Sequence, residues 1–430
     1  MIDSRKPQAS KLKRASRDTT PQRSDVVKTK NSNLSAAKKS KNDEFYTQWA
    51  DIEREMNAYL EYDPNVFRGK AILLPCDDPE WSNFTKFFAL HFQDYGLKKL
   101  ISTSYAPNSN TALTSYRPTV FERDNPAYDE TKSMERGRVF VLEETDLNAD
   151  GVINIDDLQW SYLEGDGDFR SEEVIALRDE ADIVITNPPF SLFREFVAWL
   201  IEGGIKFSVI GSGNAPTTKE IFPLIKDNRL WKGATANNTD MVFGVPKGTE
   251  IKEADRAKAE RLGYPSDGDY DYTRLGNSCW FTNIDHGRRH EPLQLMTMAD
   301  NIRFSRHTDI RGAEYKKYDN FEAIEVPYTD AIPSDCEGVM GVPISYLDKY
   351  NPDQFEIVGI TKTWFGAAIK TYPQQTQVSA SGERTKVGKL NDGAVLKIEK
   401  PLAGKTYYEV NGEIFVQTYP RVLIRKKATS

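Results

Sequence analysis

Short apolar runs alternate with amphipathic stretches along the first 300 residues of the chain. The runs are rich in β-branched and aliphatic side chains, which is typical of buried strands. They lie at 70–74, 98–105, 138–143, 182–186, 206–211 and 279–283. Between them, apolar positions recur at helical spacing, as in the aromatic stripe of Trp81, Phe84, Phe88 and Phe92. Strands that alternate with helices predict an α/β fold with a doubly wound parallel sheet.

The pattern changes on both sides of this region. Residues 1–42 are rich in Ser, Thr, Lys and Arg and poor in aromatic residues, so they are predicted to form a disordered tail. From about residue 301, short β-type runs are broken by Gly, Pro and Asn, which predicts a mixed α+β domain over 301–430. Within that domain, Asn411-Gly412 predicts a two-residue hairpin turn between two short strands.

Charge is distributed unevenly along the 430 residues, whose formal net charge is −7. Residues 1–42 hold 12 Lys and Arg against 3 Asp and Glu, residues 43–300 hold 27 against 45, and residues 301–430 hold 18 against 16. A basic tail on an acidic body suits a polyanion such as nucleic acid, because bound lysines release condensed counterions. A solvated tail without a specific partner is the alternative. Residues 247–274 form a charged insertion that is predicted to be helix and loop.

Cysteine usage and apolar content indicate an intracellular protein. Cys76, Cys279 and Cys336 are widely spaced and odd in number, which argues against a disulfide framework and fits a reducing cytoplasm. No stretch approaches the roughly 20 apolar residues of a membrane span, and the N-terminus lacks the apolar core of a signal peptide. The four histidines show no zinc-binding spacing. We therefore expect a cytoplasmic protein without a membrane segment.

Asn187-Pro188-Pro189-Phe190 directly follows the apolar strand at 182–186. Ligands of open α/β sheets bind at the carboxyl ends of the strands, so this turn is expected to line a ligand site. Methyl transfer to an exocyclic amine needs acceptors that position the amine and stabilise the positive charge developing on its nitrogen. The Asn187 side-chain oxygen and the Pro188 carbonyl can be these acceptors, and Phe190 can stack on an extruded base. We predict all four as catalytic residues, whereas Pro-Pro alone would indicate only a strand-ending turn.

Two acidic segments are candidates for cofactor contacts. Asp77 and Asp78 lie in the first strand-to-helix turn, which has no GxGxxG motif, so they suit a cationic ligand such as S-adenosylmethionine better than a pyrophosphate. Capping of the following helix is their alternative role. Asp168 can accept from the amino group of a cofactor adenine while Phe169 packs on its ring. The alternative is a Gly-Asp turn with Phe169 in the core.

Residues 146–157 follow the spacing of an EF-hand calcium loop. Oxygen-bearing side chains stand at loop positions one, three, five and twelve, as Asp146, Asn148, Asp150 and Asp157. Two features depart from the EF-hand pattern. The aspartate at position twelve is shorter than the usual bidentate glutamate, and the preceding segment is a predicted strand rather than a helix. We predict a structural Ca²⁺ here, with a rigid acidic turn as the alternative.

Three further segments combine basic and aromatic or histidine side chains. Residues 285–290 are predicted to contact phosphate or, equally, to form a solvated basic turn. Residues 362–372 and 419–427 suit a target-recognition surface, although Trp364 and Phe365 are of the type more often found in a core.

Several segments of the chain resemble the EcoRI modification methylase family of adenine-specific DNA methyltransferases. They are 42–48, 76–79, 82–84, 96–101, 167–171 and 187–195, and the resemblance extends from about residue 38 to near the C-terminus. It implies a Rossmann-like catalytic domain over 43–300 that uses S-adenosylmethionine, followed by a target-recognition domain over 301–430. It also implies that Phe45, Tyr46 and Thr47 form a cofactor-contacting motif ahead of the sheet.

The sequence therefore predicts an enzyme that transfers a methyl group from S-adenosylmethionine to N6 of an adenine flipped out of double-stranded DNA. A methyltransferase acting on a protein glutamine amide is one alternative, since Asn-Pro-Pro-aromatic also suits a planar carboxamide. A non-catalytic, calcium-dependent DNA-binding protein is the other, and it rests on residues 146–157. The recognised DNA sequence, the oligomeric state and a partnership with a restriction nuclease are left open.

Overall fold

The computed structural model describes residues 45–78, 82–106, 123, 125–145, 150–235, 241–268 and 270–428. The predicted tail at 1–42 and Trp81 of the predicted aromatic stripe lie outside these residues. The helices are α1 (Trp49–Tyr62), α2 (Asn83–Leu90), α3 (Phe92–Tyr95), α4 (Glu172–Glu180), α5 (Phe193–Glu202), α6 (Phe222–Lys226), α7 (Glu253–Arg261) and α8 (Met298–Phe304). The strands are β1 (Tyr46–Thr47), β2 (Ala71–Leu74), β3 (Lys99–Ser104), β4 (Arg138–Glu143), β5 (Gln159–Tyr162), β6 (Ile183–Thr186), β7 (Lys206–Ser212), β8 (Trp231–Lys232), β9 (Val242–Pro246), β10 (Tyr270–Arg274), β11 (Ser278–Thr282), β12 (Ile324–Glu325), β13 (Met340–Pro343), β14 (Phe355–Ile360), β15 (Gln375–Val378), β16 (Arg384–Val387), β17 (Val395–Ile398), β18 (Tyr407–Val410), β19 (Glu413–Gln417) and β20 (Arg421–Lys426).

The centre of the fold is an eight-stranded sheet with the order β5-β4-β3-β2-β6-β7-β11-β8. Strands β3, β2, β6 and β7 run parallel to one another. In contrast, β4 is antiparallel to β3, β5 to β4, and β11 to β7. The predicted α/β class is confirmed, and the six predicted strands are present. The prediction of a parallel sheet is wrong at both flanks, because an apolar run shows that a strand is buried but not in which direction it runs.

Helices cover both faces of this sheet. Neighbouring strand residues alternate between the faces, so Leu73 and Val184 belong to one buried cluster and Ile72 and Ile185 to another. The first cluster includes the buried side of α5, and the second includes α1 and the aromatic residues of α2. β2 and β6 are buried along their whole length, and this double cover makes them the rigid centre from which the following turns project.

A small three-stranded sheet stands beside the central one. Its order is β1-β9-β10, with both pairings antiparallel. The predicted insertion at 247–274 therefore contains helix α7 as expected, but its end is strand β10. In this sheet β9 fixes the position of strand β1, because Tyr46 pairs with Gly244 and Thr47 pairs with Phe243.

The last third of the chain forms a four-stranded sheet, β12-β13-β20-β14, and a five-stranded sheet, β16-β15-β18-β19-β17. The predicted hairpin is confirmed, since β18 and β19 are joined by Asn411 and Gly412, whose φ angles of 52° and 83° suit a type I′ turn. Buried residues of β13, β14 and β20 belong to the same cluster as those of α5 and β7. The two parts of the chain therefore share one core. No helix of the described residues is long and apolar enough to cross a bilayer.

Candidate active site

The Asn187–Phe190 turn lies at the carboxyl edge of the central sheet, as predicted. Strand β6, between β2 and β7, ends at Thr186, directly before Asn187. Pro188 is buried, and Phe190 opens a short 3₁₀ helix that leads into α5 at Phe193. A buried strand on one side and a buried helix on the other therefore hold the turn in place.

The side-chain amide of Asn187 is fixed through one end only. Its Nδ2 donates to the carbonyl oxygen of Phe45 at 2.6 Å. Its Oδ1 is buried and has no hydrogen-bond partner among the described residues. Because the carbonyl can only accept, the amide must turn its nitrogen toward Phe45 and its oxygen away. Buried acceptors are almost always paired, so this oxygen is a site at which a donor is missing.

Three phenylalanine rings pack against one another at this turn. Phe45 and Phe190 meet edge to face with 5.7 Å between ring centroids. Phe243 lies 6.0 Å from Phe45 and 6.3 Å from Phe190, and it is completely buried. The sequence analysis missed Phe243, although the apolar run at 241–245 is a signal of a buried strand. The pairing of β1 with β9 delivers both Phe45 and Phe243 to the turn after β6.

Asp77 connects the first strand-to-helix turn to the end of β6. Its carboxylate is buried and accepts from Thr186 Oγ1 at 2.6 Å and from Ser82 Oγ at 2.7 Å. Burial raises the pKa of Asp77 to about 7 against the lowering effect of the two hydroxyl donors, and the neighbouring Asp78 raises it further. The helix after this turn is capped by Ser82, whose side chain accepts from the Phe84 amide. The alternative in which Asp77 or Asp78 caps the helix is therefore wrong.

The other predicted cofactor acids already pair with arginines of the chain. Asp78 forms a largely buried ion pair with Arg138. Asp168 accepts from Arg170 through both oxygens, at 2.8 Å to Nε and 2.6 Å to Nη2. In this conformation a cationic ligand would have to share either carboxylate with a guanidinium.

Phe169 occupies the core. It has no exposed surface, and its ring lies 5.0 Å from the Phe196 ring and 5.6 Å from that of Trp199. A ring enclosed on all sides cannot stack on a ligand without leaving this cluster. The prediction of a cofactor contact for Phe169 is corrected by this placement, which matches the alternative of a turn followed by a core residue.

The predicted cofactor segments do come together in space. The Ala106 amide donates to the Asp166 carbonyl at 2.9 Å, so the segment before Phe169 lies against the end of β3. Gly167 has φ of +84°, and a Cβ there would stand 2.4 Å from the Ser104 carbonyl oxygen, so a larger residue would separate the two segments. The pKa of the Tyr105 phenol is raised, first by burial and then by the adjacent Cys76 thiol. Residues from three distant parts of the sequence thus meet at one edge of the sheet.

The predicted calcium loop lies partly outside the described residues, which lack Asp146 and Asn148. Of the other two ligands, Asp150 accepts from the Val152 amide, and Asp157 is buried in a capping box with Asn154. The flanking elements are strand β4 and a 3₁₀ turn rather than two helices. Across the part of the chain that the structure describes, no group of three or more His, Cys, Asp or Glu side chains is placed to hold a metal ion.

The basic segments differ in their placement. In residues 285–290, His286 and Arg289 are buried, so a fully solvated turn is wrong. Phe365 is partly buried and lies edge to face on Phe222, at 5.6 Å, as expected of a core residue. Tyr419, by contrast, is 85% exposed.

Comparisons with known proteins identify similar chains. Residues 33–427 match the family described as "Adenine-specific methyltransferase EcoRI". The chain is 39% identical over 332 residues to the Type II methyltransferase M.EcoRI of Escherichia coli. The aligned region covers 76% of this chain and 89% of that protein. It is 34% identical over 322 residues to M.MpnI of Mycoplasma pneumoniae (75% and 83% covered) and 32% identical over 322 residues to M.MgeORF184P of Mycoplasma genitalium (75% and 84%). No solved structure matches the chain significantly.

Proposed function

Because this chain belongs to the EcoRI family of adenine-specific methyltransferases and is a DNA adenine methyltransferase, we propose that Asn187, Pro188, Pro189 and Phe190 form its catalytic site. The group methylated is N6 of an adenine that has been turned out of the duplex. Family membership also implies S-adenosylmethionine as methyl donor.

The unpartnered Oδ1 of Asn187 carries this proposal. An exocyclic amino group of adenine brings two N–H donors, and the buried oxygen lacks one donor. The bond from Asn187 Nδ2 to the Phe45 carbonyl keeps the oxygen oriented before the base arrives. The amine therefore meets an acceptor that needs no reorganisation, which is the condition under which electrostatic stabilisation is most effective.

The residues of the turn act on the amine as it becomes cationic. Bound S-adenosylmethionine supplies an electrophilic methyl group. Asn187 Oδ1 and the Pro188 carbonyl oxygen each accept one N–H, which positions the nitrogen and stabilises its growing positive charge. The prolines fix the backbone of the turn, so the second acceptor keeps its position.

Phe190 provides the apolar surface for the flipped base. It is partly exposed, while its neighbours Phe45 and Phe243 support it from the protein side. Stacking on an aromatic ring contributes about 1–3 kcal/mol per base, which offsets part of the cost of unstacking the adenine from the helix.

For the cofactor we propose Phe45, Tyr46, Thr47, Asp77, Asp78 and Asp168 as the nearby groups. The hydroxyl oxygen of Thr47 supports this assignment, because it is buried and, like Asn187 Oδ1, has no partner among the described residues. Asp77 accepts one hydrogen bond from Thr186, the residue directly before the catalytic turn. The residues present therefore fit a polar ligand beside Asn187. The carboxylates of Asp78 and Asp168 would contact this ligand while each remains paired with its own arginine.

Methyl transfer to defined acceptors tests the function. The full chain is incubated with radiolabelled S-adenosylmethionine and either duplex DNA or a glutamine-containing protein acceptor, and digested DNA is analysed for N6-methyladenine. We expect label in DNA only, and Asn187→Ala serves as the matched inactive control. Label in the protein acceptor alone would instead support the glutamine-amide alternative.

Recognition of the DNA sequence is proposed for residues 301–430. The exposed Tyr419 and the basic residues that follow it favour a nucleic-acid surface. Because this part shares a core with the catalytic sheet, point variants are preferable to truncation. Tyr419→Ala should weaken DNA binding in a gel-shift titration, whereas Leu402→Ala, another exposed apolar residue of the same region, should not.

Two further proposals concern partners and ions. Since the relatives are named Type II methyltransferases, we propose that methylation by this chain blocks a nuclease with the same recognition sequence. DNA from cells that express the wild type should resist that nuclease, and DNA from cells that express Asn187→Ala should be cut.

A structural Ca²⁺ at 146–157 stays a prediction, and calorimetry with Ca²⁺ on the wild type and on Asp150→Asn tests it.

A further inference from the structure

Strand β6 has backbone support from one side only at the point where it enters the catalytic turn. Among the residues that the structure describes, it pairs with β2 as far as Val184, opposite Leu73, whereas its pairing with β7 continues to Thr186. The strand order of the central sheet reverses between β2 and β6, since the chain moves outward through β3 on one side and through β7 on the other. Open sheets bind ligands in the crevice at such a reversal, so Thr186, directly before Asn187, lies at the rim of this crevice.

The side chain of Thr186 bridges the gap between β6 and the end of β2. It is completely buried, and its Oγ1 lies 2.9 Å from the Pro75 carbonyl oxygen and 2.6 Å from Asp77 Oδ2. Pro75 and Asp77 belong to the turn that follows β2, so one hydroxyl of β6 contacts both the backbone and a side chain of that turn. This bridge continues the connection between the two strands beyond their backbone pairing.

The turn after β2 is also held by hydroxyl groups of other elements. The Cys76 amide donates to Thr103 Oγ1 at 3.2 Å, on the neighbouring strand β3. Ser82 Oγ, at the start of α2, donates to Asp77 Oδ1 at 2.7 Å. The Asp77 carbonyl oxygen accepts from Thr85 Oγ1 of the same helix at 3.0 Å. The turn is therefore fixed to β3 and α2, and Thr186 attaches β6 to this fixed support.

The Asp77 carboxyl group can bond to Thr186 in two ways. A hydroxyl has one hydrogen, so both contacts of Thr186 are full hydrogen bonds only when the carboxyl carries a proton and donates to Thr186, which then donates to Pro75. Burial, which raises the pKa of Asp77 to about 7, favours this protonated form. In the ionised form, Asp77 takes the hydrogen of Thr186 in place of Pro75. The Thr186 hydroxyl therefore bonds to the turn in either protonation state.

We propose that Thr186 is a positioning residue for methyl transfer, because its hydroxyl fixes the end of β6 against the turn after β2. Asn187 is the next residue, and its side chain is held separately by the Phe45 carbonyl oxygen at 2.6 Å. Two contacts from distant parts of the chain thus define the place of Asn187 Oδ1 before the base arrives. Small displacements of a positioned group slow a reaction strongly, so loss of the bridge should lower the rate. This inference rests on the proposed catalytic role of Asn187.

Single-turnover methyl transfer by the full chain, at saturating DNA and radiolabelled S-adenosylmethionine, tests the proposal. Thr186→Val keeps the volume of the side chain but has no hydroxyl, so the rate should fall about 10-fold, the effect of about one hydrogen bond. Thr186→Ser keeps the hydroxyl and loses a buried methyl group. It should therefore be less stable in urea unfolding and yet transfer within about 2-fold of the wild-type rate. A side chain that served packing alone would give the opposite order of rates.

Thr282→Val is the matched control. Thr282 is likewise completely buried, and its hydroxyl donates to the Phe207 carbonyl at 2.7 Å and accepts from the Ile284 amide at 2.9 Å. It lies on β11, two strands away from β6 across the central sheet, a separation of roughly 10 Å. This variant should lose stability, as Thr186→Val does, but should keep the wild-type transfer rate.

Three results would overturn the proposal. They are a wild-type rate in Thr186→Val, equal slowing in Thr186→Ser and Thr186→Val, and equal slowing in Thr282→Val. If Thr186→Val does not fold, Thr186→Ala and Thr186→Ser provide the comparison, because they differ only in the hydroxyl, and equal rates in these two would also contradict the proposal.

Asn187→Ala in the same assay separates this inference from the proposed function. A wild-type rate in Asn187→Ala would contradict the catalytic assignment itself. A slow Asn187→Ala beside a Thr186→Val of wild-type rate would contradict only the positioning role of Thr186.

Discussion

Replacement of Asn187 by alanine should greatly slow methyl transfer while leaving stability nearly unchanged. The variant deletes the acceptor Oδ1 and the donor Nδ2 that bonds to Phe45. Loss of a single preorganised group that stabilises transition-state charge costs about 10²–10³ in rate, or roughly 2.7–4 kcal/mol. We expect a fall of that size in the single-turnover rate.

The stability of this variant follows from two opposing terms. Alanine removes a buried acceptor that has no partner, which gains about 1–3 kcal/mol of unfolding free energy. It also leaves the Phe45 carbonyl without its donor, and that loss is of the same size, about 1–3 kcal/mol. The terms oppose each other, so the unfolding free energy should stay within about 2 kcal/mol of the wild type.

Asn320→Ala is the matched control. Asn320 is also buried, but its Nδ2 donates to the Gly393 carbonyl at 2.9 Å and its Oδ1 accepts from the Val395 amide at 2.9 Å. Its removal should cost roughly 2–5 kcal/mol of stability, because two backbone groups lose their partners. Radiolabel transfer under single-turnover conditions and urea unfolding followed by circular dichroism give both quantities for each variant. A wild-type transfer rate in Asn187→Ala, or a destabilisation as large as that of Asn320→Ala, would refute the reasoning.

Phe190→Ala should lower kcat/KM by the stacking energy of about 1–3 kcal/mol, whereas Phe190→Tyr should retain most activity; equal kcat/KM values for the two would show that the base does not stack there. The pKa of the Asp77 carboxyl is 3.8 in the unfolded chain and is raised to about 7 by burial in the fold. Between these pH values the folded state binds more protons than the unfolded state, so the free energy of unfolding falls as the pH rises. Urea unfolding between these pH values should show this fall in the wild type but not in Asp77→Asn, and parallel profiles would disprove it. Gly412→Val places a β-branched residue at φ of +83° and should lower the unfolding free energy by roughly 1–3 kcal/mol, with a neutral effect contradicting the turn assignment.

Much of the candidate site could be predicted because its signals are local. A strand that ends in two prolines and is followed by an amphipathic helix is defined by neighbouring residues, so the position of Asn187 at a strand end needed no tertiary information. The Asn411-Gly412 turn is a similar case, since both residues tolerate positive φ. The partners of the side chains were harder to predict. Phe169 has the same local pattern whether it stacks on a ligand or on Phe196, and the chain places it on Phe196 and Trp199.

The sequence by itself determined the α/β class, the strand-end position of Asn187-Pro188-Pro189-Phe190 and the resemblance to adenine methylases, because each depends on residue type and spacing along the chain. The tertiary structure decided which contacts complete the site. The Phe45 carbonyl that orients Asn187 is 142 residues away, and Phe243 reaches the same place only through the pairing of β1 with β9. Strand direction and long-range pairing depend on the packing of the whole chain, and so does the pairing of Asp78 with Arg138. Hydrophobic periodicity does not encode these contacts.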